Sequence, residues 1–252
     1  MAAKTLLHDA NPGTFKVTIF EAQPRIGGLW PSRKDDGEGL MHPLMIANQS
    51  RHTAQFSDLA WDESVPQMPR AWQVGSYLER YLERYVSDAA DLRLSHRVLH
   101  AELQDGGLWR VQTQSDNGPE ETAVFDYLLV SSGFFGKPMW PEQIPRDAEV
   151  PVVHSSKYRD LNTLLGDENN GRGGKILVVG GQMSGIEISG TIATHLSSAL
   201  HSAGDKEIME PDKYIVHHVA QRPAWVFPLF TTPKVGLFII AVQFNILYLD
   251  CH

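Results

Sequence analysis

The sequence predicts an α/β fold, and three observations carry that reading. KILVVGGQMSGIE at 175–187 runs an apolar strand through a glycine turn into a helix. TFKVTIFE at 14–21 is a β-branched and aromatic strand that ends in an acid. A strand-and-helix unit therefore stands near each end of the chain, which reads as two Rossmann-like dinucleotide-binding units. The 252 residues allow one or two domains, at roughly 150 residues each. A hydrophobic share of 42% against 21% charged is ordinary for a globular protein and argues against wholesale disorder. The formal net charge of -8 argues against a general nucleic-acid binder, because phosphate backbones need a basic surface. The single cysteine, Cys251, excludes an intramolecular disulfide, a CxxC redox pair and a multi-cysteine zinc site within the chain.

Taken in order, MAAKTLLHD reads as a short helix stopped by Asn11-Pro12-Gly13. The opening has no sustained apolar core, so no signal peptide is read there. The strand 14–21 follows, then the glycine-rich turn PRIGGLW and an irregular stretch over 31–70. Tyr77, Leu78, Tyr81, Leu82 and Tyr85 stand at helical spacing, which predicts an amphipathic helix over 72–90. Leu92–Leu94, Val98–Leu103 and Trp109–Thr113 predict short strands, with a turn at Gly106-Gly107. Val124–Ser131 reads as a buried strand, and a linker rich in Pro and charge covers 141–150. The polar loop DENNGRGG at 167–174 marks a boundary before the second glycine turn, and YIVHHVAQ at 214–221 is the next strand. Residues 235–249 are nearly all apolar but too short for a spanning helix of about 20 residues. They also carry Gln243 and Asn245, so they read as a buried segment or a sequence foreign to the domain, with a tail anchor as the remaining alternative. No tandem repeat is visible.

The second turn has a clear physical logic. A glycine permits the tight turn, and the helix start presents free N–H groups whose dipole favours a pyrophosphate. In a GxGxxG frame the positions are Gly180, Gln182 and Gly185. The central glycine is replaced, and the neighbouring Gly181 restores close backbone approach. Ser184 is a candidate helix cap or phosphate contact. The next strand ends at Gln221-Arg222 where an NAD-type unit carries an acid. Arg222 would pair with a 2′-phosphate, so NADPH is expected over NADH. The plain alternatives are a structural βα turn with no ligand and an exposed arginine at a strand end.

The first unit is informative for what precedes its acid. The fingerprint places its glycines about 20 residues before the ribose-binding acid, and residues 1–12 contain no glycine before Glu21. The first strand and its phosphate loop are therefore expected upstream of Met1. Elsewhere, His96 and His100 stand four apart in LSHRVLH, a strand-like context without an acid partner, so no metal site is expected. His217 and His218 are adjacent in a strand, face opposite ways and read as structural. No GxSxG elbow supports a hydrolase.

These motifs together resemble the flavin-containing monooxygenases, class B flavoprotein enzymes that use FAD and NADPH. The resemblance rests on Glu21 followed by Gly27-Gly28-Leu29-Trp30, on Asn48 with Phe56-Ser57-Asp58, and on Ser131-Ser132-Gly133. His154, Ser155, Tyr158 and Arg159, then Gly180 to Gly185, continue it. It covers about residues 1–234, and VGLFIIAVQFNILYLDCH reads as unrelated to that family. The resemblance implies a partial FAD-binding domain at 1–165, a partial NADPH-binding domain at 166–234 and an apolar tail at 235–252. It implies that Glu21, Gly27, Gly28, Leu29 and Trp30 meet FAD. Gly180, Gly181, Ser184, Gly185 and Arg222 would meet NADPH, and Asn48 would stand beside the flavin edge as the catalytic amide. A solvated strand-end acid, a plain surface turn and a turn-forming asparagine are the bland counterparts.

The implied reaction moves one oxygen atom from O₂ to a small substrate with a nucleophilic nitrogen or sulfur, or to a ketone. Implied partners are that substrate and O₂, with no nucleic acid and no membrane, in the cytoplasm. The rival reading is a catalytically inactive truncated remnant that binds NADPH weakly or not at all. A flavin disulfide reductase is disfavoured because the chain has no CxxC.

Overall fold

Hydrophobic spacing decides the architecture in each half of the chain. The computed structural model describes residues 1–37, 39–133, 135–144, 148–169, 171–202 and 208–221, with the backbone alone for 167–169, 225–226 and 242–243. The chain divides into two compact units, Met1–Lys137 and Pro138–His252.

In the first unit, helix α1 (Ala2–Lys4) runs into a π-helical stretch, Thr5–Asp9. Strand β1 (Thr18–Phe20) pairs in parallel with β2 (Asp91–Arg93), so Ile19 lies beside Leu92. Between them runs the irregular stretch and then helix α2 (Ala71–Tyr85). Tyr77 and Tyr81, four residues apart, lie on one helix face and bury against Leu59 and Trp61. Trp61 stacks on Tyr77 with centroids 4.2 Å apart. The tyrosine tips stay polar and find partners: Tyr77 donates to the Leu59 carbonyl at 2.6 Å and Tyr85 to the Asp58 carbonyl at 2.6 Å. The irregular segment is thus pinned to α2 by three hydroxyl or ring contacts in place of backbone ladders.

Strands β3 (His96–Leu103), β4 (Trp109–Ser115) and β5 (Glu120–Phe125) form an antiparallel meander. The β3–β4 turn uses Gly106 and Gly107, both at positive φ. Val111 and Thr113 alternate inward on β4, as a half-buried strand requires. His96 and His100 both lie on β3, as the strand-like reading of LSHRVLH expects.

One expectation fails here. Val124–Ser131 is not a buried strand: β5 ends at Phe125, and Tyr127, Leu129 and Val130 are 77%, 65% and 77% exposed. The run has strand-like composition, but no strand among the described residues pairs with it beyond Phe125. Apolar content alone does not supply the neighbour that buries it.

In the second unit, a 3-10 turn at Ser155–Lys157 leads into helix α3 (Leu161–Asn169). Strand β6 (Gly174–Val179) pairs in parallel with β7 (Tyr214–Val219), and helix α4 (Met183–His201) crosses between them. Ile188, Ile192 and Leu196 recur every four residues and face Ile176 and Val178 of β6 and Tyr214 of β7. Tyr158, Leu161 and Leu165 join the same core. That packing puts the boundary between units at 137/138, whereas the sequence reading sets it at 165/166. The His154–Leu165 segment is held by its own apolar residues to the α4 side. The opposite face of the two strands keeps Leu177 and Val179 60% and 63% exposed.

Short strands β8 (Trp225–Val226) and β9 (Val242–Gln243) pair antiparallel. The rest of the apolar tail lies outside the described residues. Among the described residues no helix is long and apolar enough to cross a membrane.

Candidate functional site

Strand β6 delivers the second glycine turn. The β6–β7 ladder continues one residue past the strands, with the Gly180 N–H donating to the Val219 carbonyl at 2.9 Å. Gly180 has φ 134°, a conformation that side chains rarely adopt. Two residues on, Gln182 is the N-cap of α4, and its side chain makes no capping bond. The first-turn N–H groups of Met183, Ser184 and Gly185 have no acceptor within the helix, and the helix dipole favours an anion in front of them. Gly185 is required for a steric reason. A Cβ there would sit 1.8 Å from the Gly180 carbonyl oxygen, so only glycine lets the helix start close against the end of β6.

The structure therefore brings Gly180, Gly181, Ser184 and Gly185 into one turn. It corrects the capping expectation: Ser184 is not the N-cap but an exposed residue inside the first turn. The replaced central glycine, Gln182, takes the cap position with extended backbone, φ -91° and ψ 178°, which any residue can adopt. Arg222 lies outside the described residues. Two residues beyond the turn, burial raises the Glu187 carboxyl above the ordinary glutamate value.

A residue that the sequence reading assigns to structure alone also meets this turn. The Nε2–H of His218, on β7, donates to the Gly180 carbonyl at 2.6 Å. Its neighbour His217 alternates to the other face, so only one of the pair can reach the glycine.

The His154–Arg159 segment is a packed wedge. His154 Nδ1 accepts the Ser156 N–H at 3.2 Å and lies 2.9 Å from the Ser156 hydroxyl. Tyr158 is only 2% exposed, and its hydroxyl lies 2.9 Å from His195 Nδ1 of α4. Burial pushes the Tyr158 phenol well above its ordinary value, and the Asp160 charge adds to that, so the phenol stays protonated.

In the first unit Glu21 directly follows β1. Its backbone continues the pairing, with Glu21 N–H to Arg93 carbonyl at 3.0 Å. Its carboxylate accepts the Gln23 N–H at 2.8 Å, closing the chain into the following turn. Gly27 and Gly28 both have positive φ, and the Trp30 N–H returns to the Gly27 carbonyl at 3.1 Å. Leu29 and Trp30 are half-buried.

The organiser of this turn is Arg25, which the sequence reading does not single out. Its guanidinium donates to the carbonyls of Trp30 at 2.7 Å, Ile26 at 3.1 Å and Gly28 at 3.2 Å. Its Nε lies 3.7 Å from the buried Asp36 carboxylate. The only sequence signal is an arginine placed just before the glycine pair. A cleft of about 500 Å³ beside it is lined by Arg25, Ser32, Arg33, Asp36, Gly37 and Glu79, and by none of the expected site residues.

Asn48 is exposed, in a bend beside Ala47, whose N–H donates to the Pro69 carbonyl at 2.8 Å. No described hydrogen bond joins it to the Gly27–Trp30 turn. Phe56 and Asp58 instead pack on α2, where Tyr81 donates to the Asp58 carboxylate at 3.3 Å.

Comparison with known proteins fits this geometry. The thiol-specific monooxygenase of Saccharomyces cerevisiae is 26% identical over 198 residues, 77% of this chain and 44% of that protein. The S-allyl-L-cysteine S-oxygenase of Allium sativum superposes with a TM-score of 0.55 at 21% identity, over 77% of this chain and 46% of that one. OTEMO in complex with FAD and NADP superposes with a TM-score of 0.58 at 17% identity, over 90% of this chain and 38% of that one. The two superpositions establish a shared fold, and the chain spans less than half the length of each of these three proteins. The sequence pattern of the flavin-binding monooxygenase-like (FMO-like) family matches residues 11–206. That span takes in β1 with Glu21, the Gly27–Trp30 turn and the whole β6–turn–α4 element, and on it the chain belongs to the flavin-binding monooxygenase-like family.

Proposed function

We propose that this chain serves a flavin-dependent monooxygenase, one that transfers a single oxygen atom from O₂ to a small nucleophilic substrate with NADPH as hydride donor. The observation that carries the reading is the family match across both glycine turns, joined to the uncapped N-terminus of α4. When bound, FAD would supply the redox and oxygen chemistry, and NADPH the hydride.

The chain's own residues hold and orient. Gly180, Gly181 and Gly185 would give a dinucleotide pyrophosphate close access to the first-turn N–H groups of α4, with Ser184 exposed beside them. The Gly185 cradle, which a Cβ would fill, fits such a group. Arg222 would pair with the 2′-phosphate. For FAD, Glu21 would bind the ribose hydroxyls, and Gly27, Gly28, Leu29 and Trp30 would lie along the cofactor. Asn48 would be the amide beside the flavin edge. Its exposed position leaves it open to a ligand.

The sulfur chemistry in the names of the yeast and Allium proteins favours a soft sulfur nucleophile as substrate class. The test adds FAD, NADPH and a small thioether to the purified chain and follows sulfoxide formation with NADPH consumption. Sulfoxide in step with NADPH supports the proposal. NADPH binding without any oxygen transfer favours the inactive remnant. Arg222→Ala should narrow the preference for NADPH over NADH, and an unchanged ratio would sink the role of Arg222.

A further inference from the structure

We propose that His218 is a positioning residue that sets the direction of the Gly181 N–H in the β6–α4 turn; this rests on that turn being the NADPH pyrophosphate site. The Gly180 carbonyl points inward, 2.6 Å from His218 Nε2 and against Gly185, where an added Cβ would lie 1.8 Å away. A carbonyl only accepts, so Nε2 carries the proton in this bond. The peptide linking Gly180 to Gly181 is trans and planar, so its N–H points opposite to its carbonyl. Fixing the Gly180 carbonyl against β7 therefore turns the Gly181 N–H away from Gly185 and His218. Among the described residues no acceptor takes that N–H.

Both flanking residues are glycines, and Gly180 sits at φ 134°, so no side chain of their own restrains this peptide plane. His218 supplies the missing restraint from a different strand. It adds one aimed donor to those of Met183, Ser184 and Gly185, and pre-aligned donors are what make an anion site effective.

The test uses the full chain and measures affinity for NADPH and for 2′-AMP, which has no pyrophosphate. His218→Leu should weaken NADPH by about tenfold, the scale of one lost charge-assisted hydrogen bond, and leave 2′-AMP unchanged. His218→Gln, which keeps a donor at similar reach, should restore most of the NADPH affinity. Equal NADPH affinity in His218→Leu overturns the proposal, and so does an equal loss in both variants. If His218→Leu does not melt cooperatively, the wild-type chain decides by its Gly181 amide resonance: a shift on adding NADPH supports the proposal, and no shift overturns it. A wild-type chain that binds no NADPH fails the function reading itself, which is a separate result.

Discussion

Gly185 shows how much a single side-chain atom can decide. A Cβ there would meet the Gly180 carbonyl oxygen at 1.8 Å and its carbon at 2.7 Å, well inside any tolerable contact, and both of those atoms are backbone. Gly185→Ala should therefore destabilise the second unit by about 1–3 kcal/mol, the usual range for forced overpacking, although alanine is the better helix former. A melting temperature equal to or above wild type would refute the close-packed turn. Two residues further, Glu187 has its carboxyl raised by burial alone. A carboxyl whose folded value exceeds its unfolded one stabilises the fold most below the unfolded value, and that contribution is lost as pH rises through the folded value. Glu187→Gln should thus melt above wild type at neutral pH, with the gap closing as pH falls below the ordinary glutamate range. Melts recorded across pH check the sign.

The sequence shows the glycines but not His218. Alternation in β7 says that His217 and His218 diverge. Which of them meets Gly180 depends on the register of β7 against β6, a tertiary fact. Arg25 is similar: its three carbonyl acceptors converge only after the Gly27–Trp30 turn has formed.

At the level of elements, α2 was legible because its tyrosine spacing is set by the helix itself. Its docking partner was not. Gly75, in the middle of α2, faces the backbone of Pro31, where an added Cβ would lie 2.1 Å from the carbonyl oxygen. Isolated helix propensity says that Gly75→Ala stabilises by roughly 0.5–1 kcal/mol. The contact with Pro31 reverses the sign, and the variant should lose about 1–3 kcal/mol in urea unfolding. A gain in stability would show that α2 does not pack on the end of the Gly27–Trp30 turn. The failed strand at Val124–Ser131 teaches the complement. Composition reports that a segment can form a strand, while pairing decides whether it does, and 126–131 has no partner strand among the described residues.

For the molecule as a whole, the α/β class and both glycine turns were legible because each is a local pattern: a strand followed by closely spaced glycines, with a helix start directly after the second. The packing boundary at 137/138 was less so, since it depends on Tyr158, Leu161 and Leu165 joining a core built around α4. The two turns also differ in what they offer a dinucleotide. The β6–α4 turn opens directly into an uncapped helix start with a glycine cradle, whereas the Gly27–Trp30 turn leads into an irregular stretch with no helix start directly behind it among the described residues. Under the proposed function, NADPH at the β6–α4 turn is predicted to bind this chain more tightly than FAD. Isothermal titration of the full chain with NADPH, NADH and FAD in turn tests this most directly. Saturable NADPH binding, tighter than NADH by about tenfold and accompanied by substoichiometric FAD, is the predicted result. No saturable binding of NADPH, or stoichiometric FAD on a chain indifferent to NADPH, would contradict it.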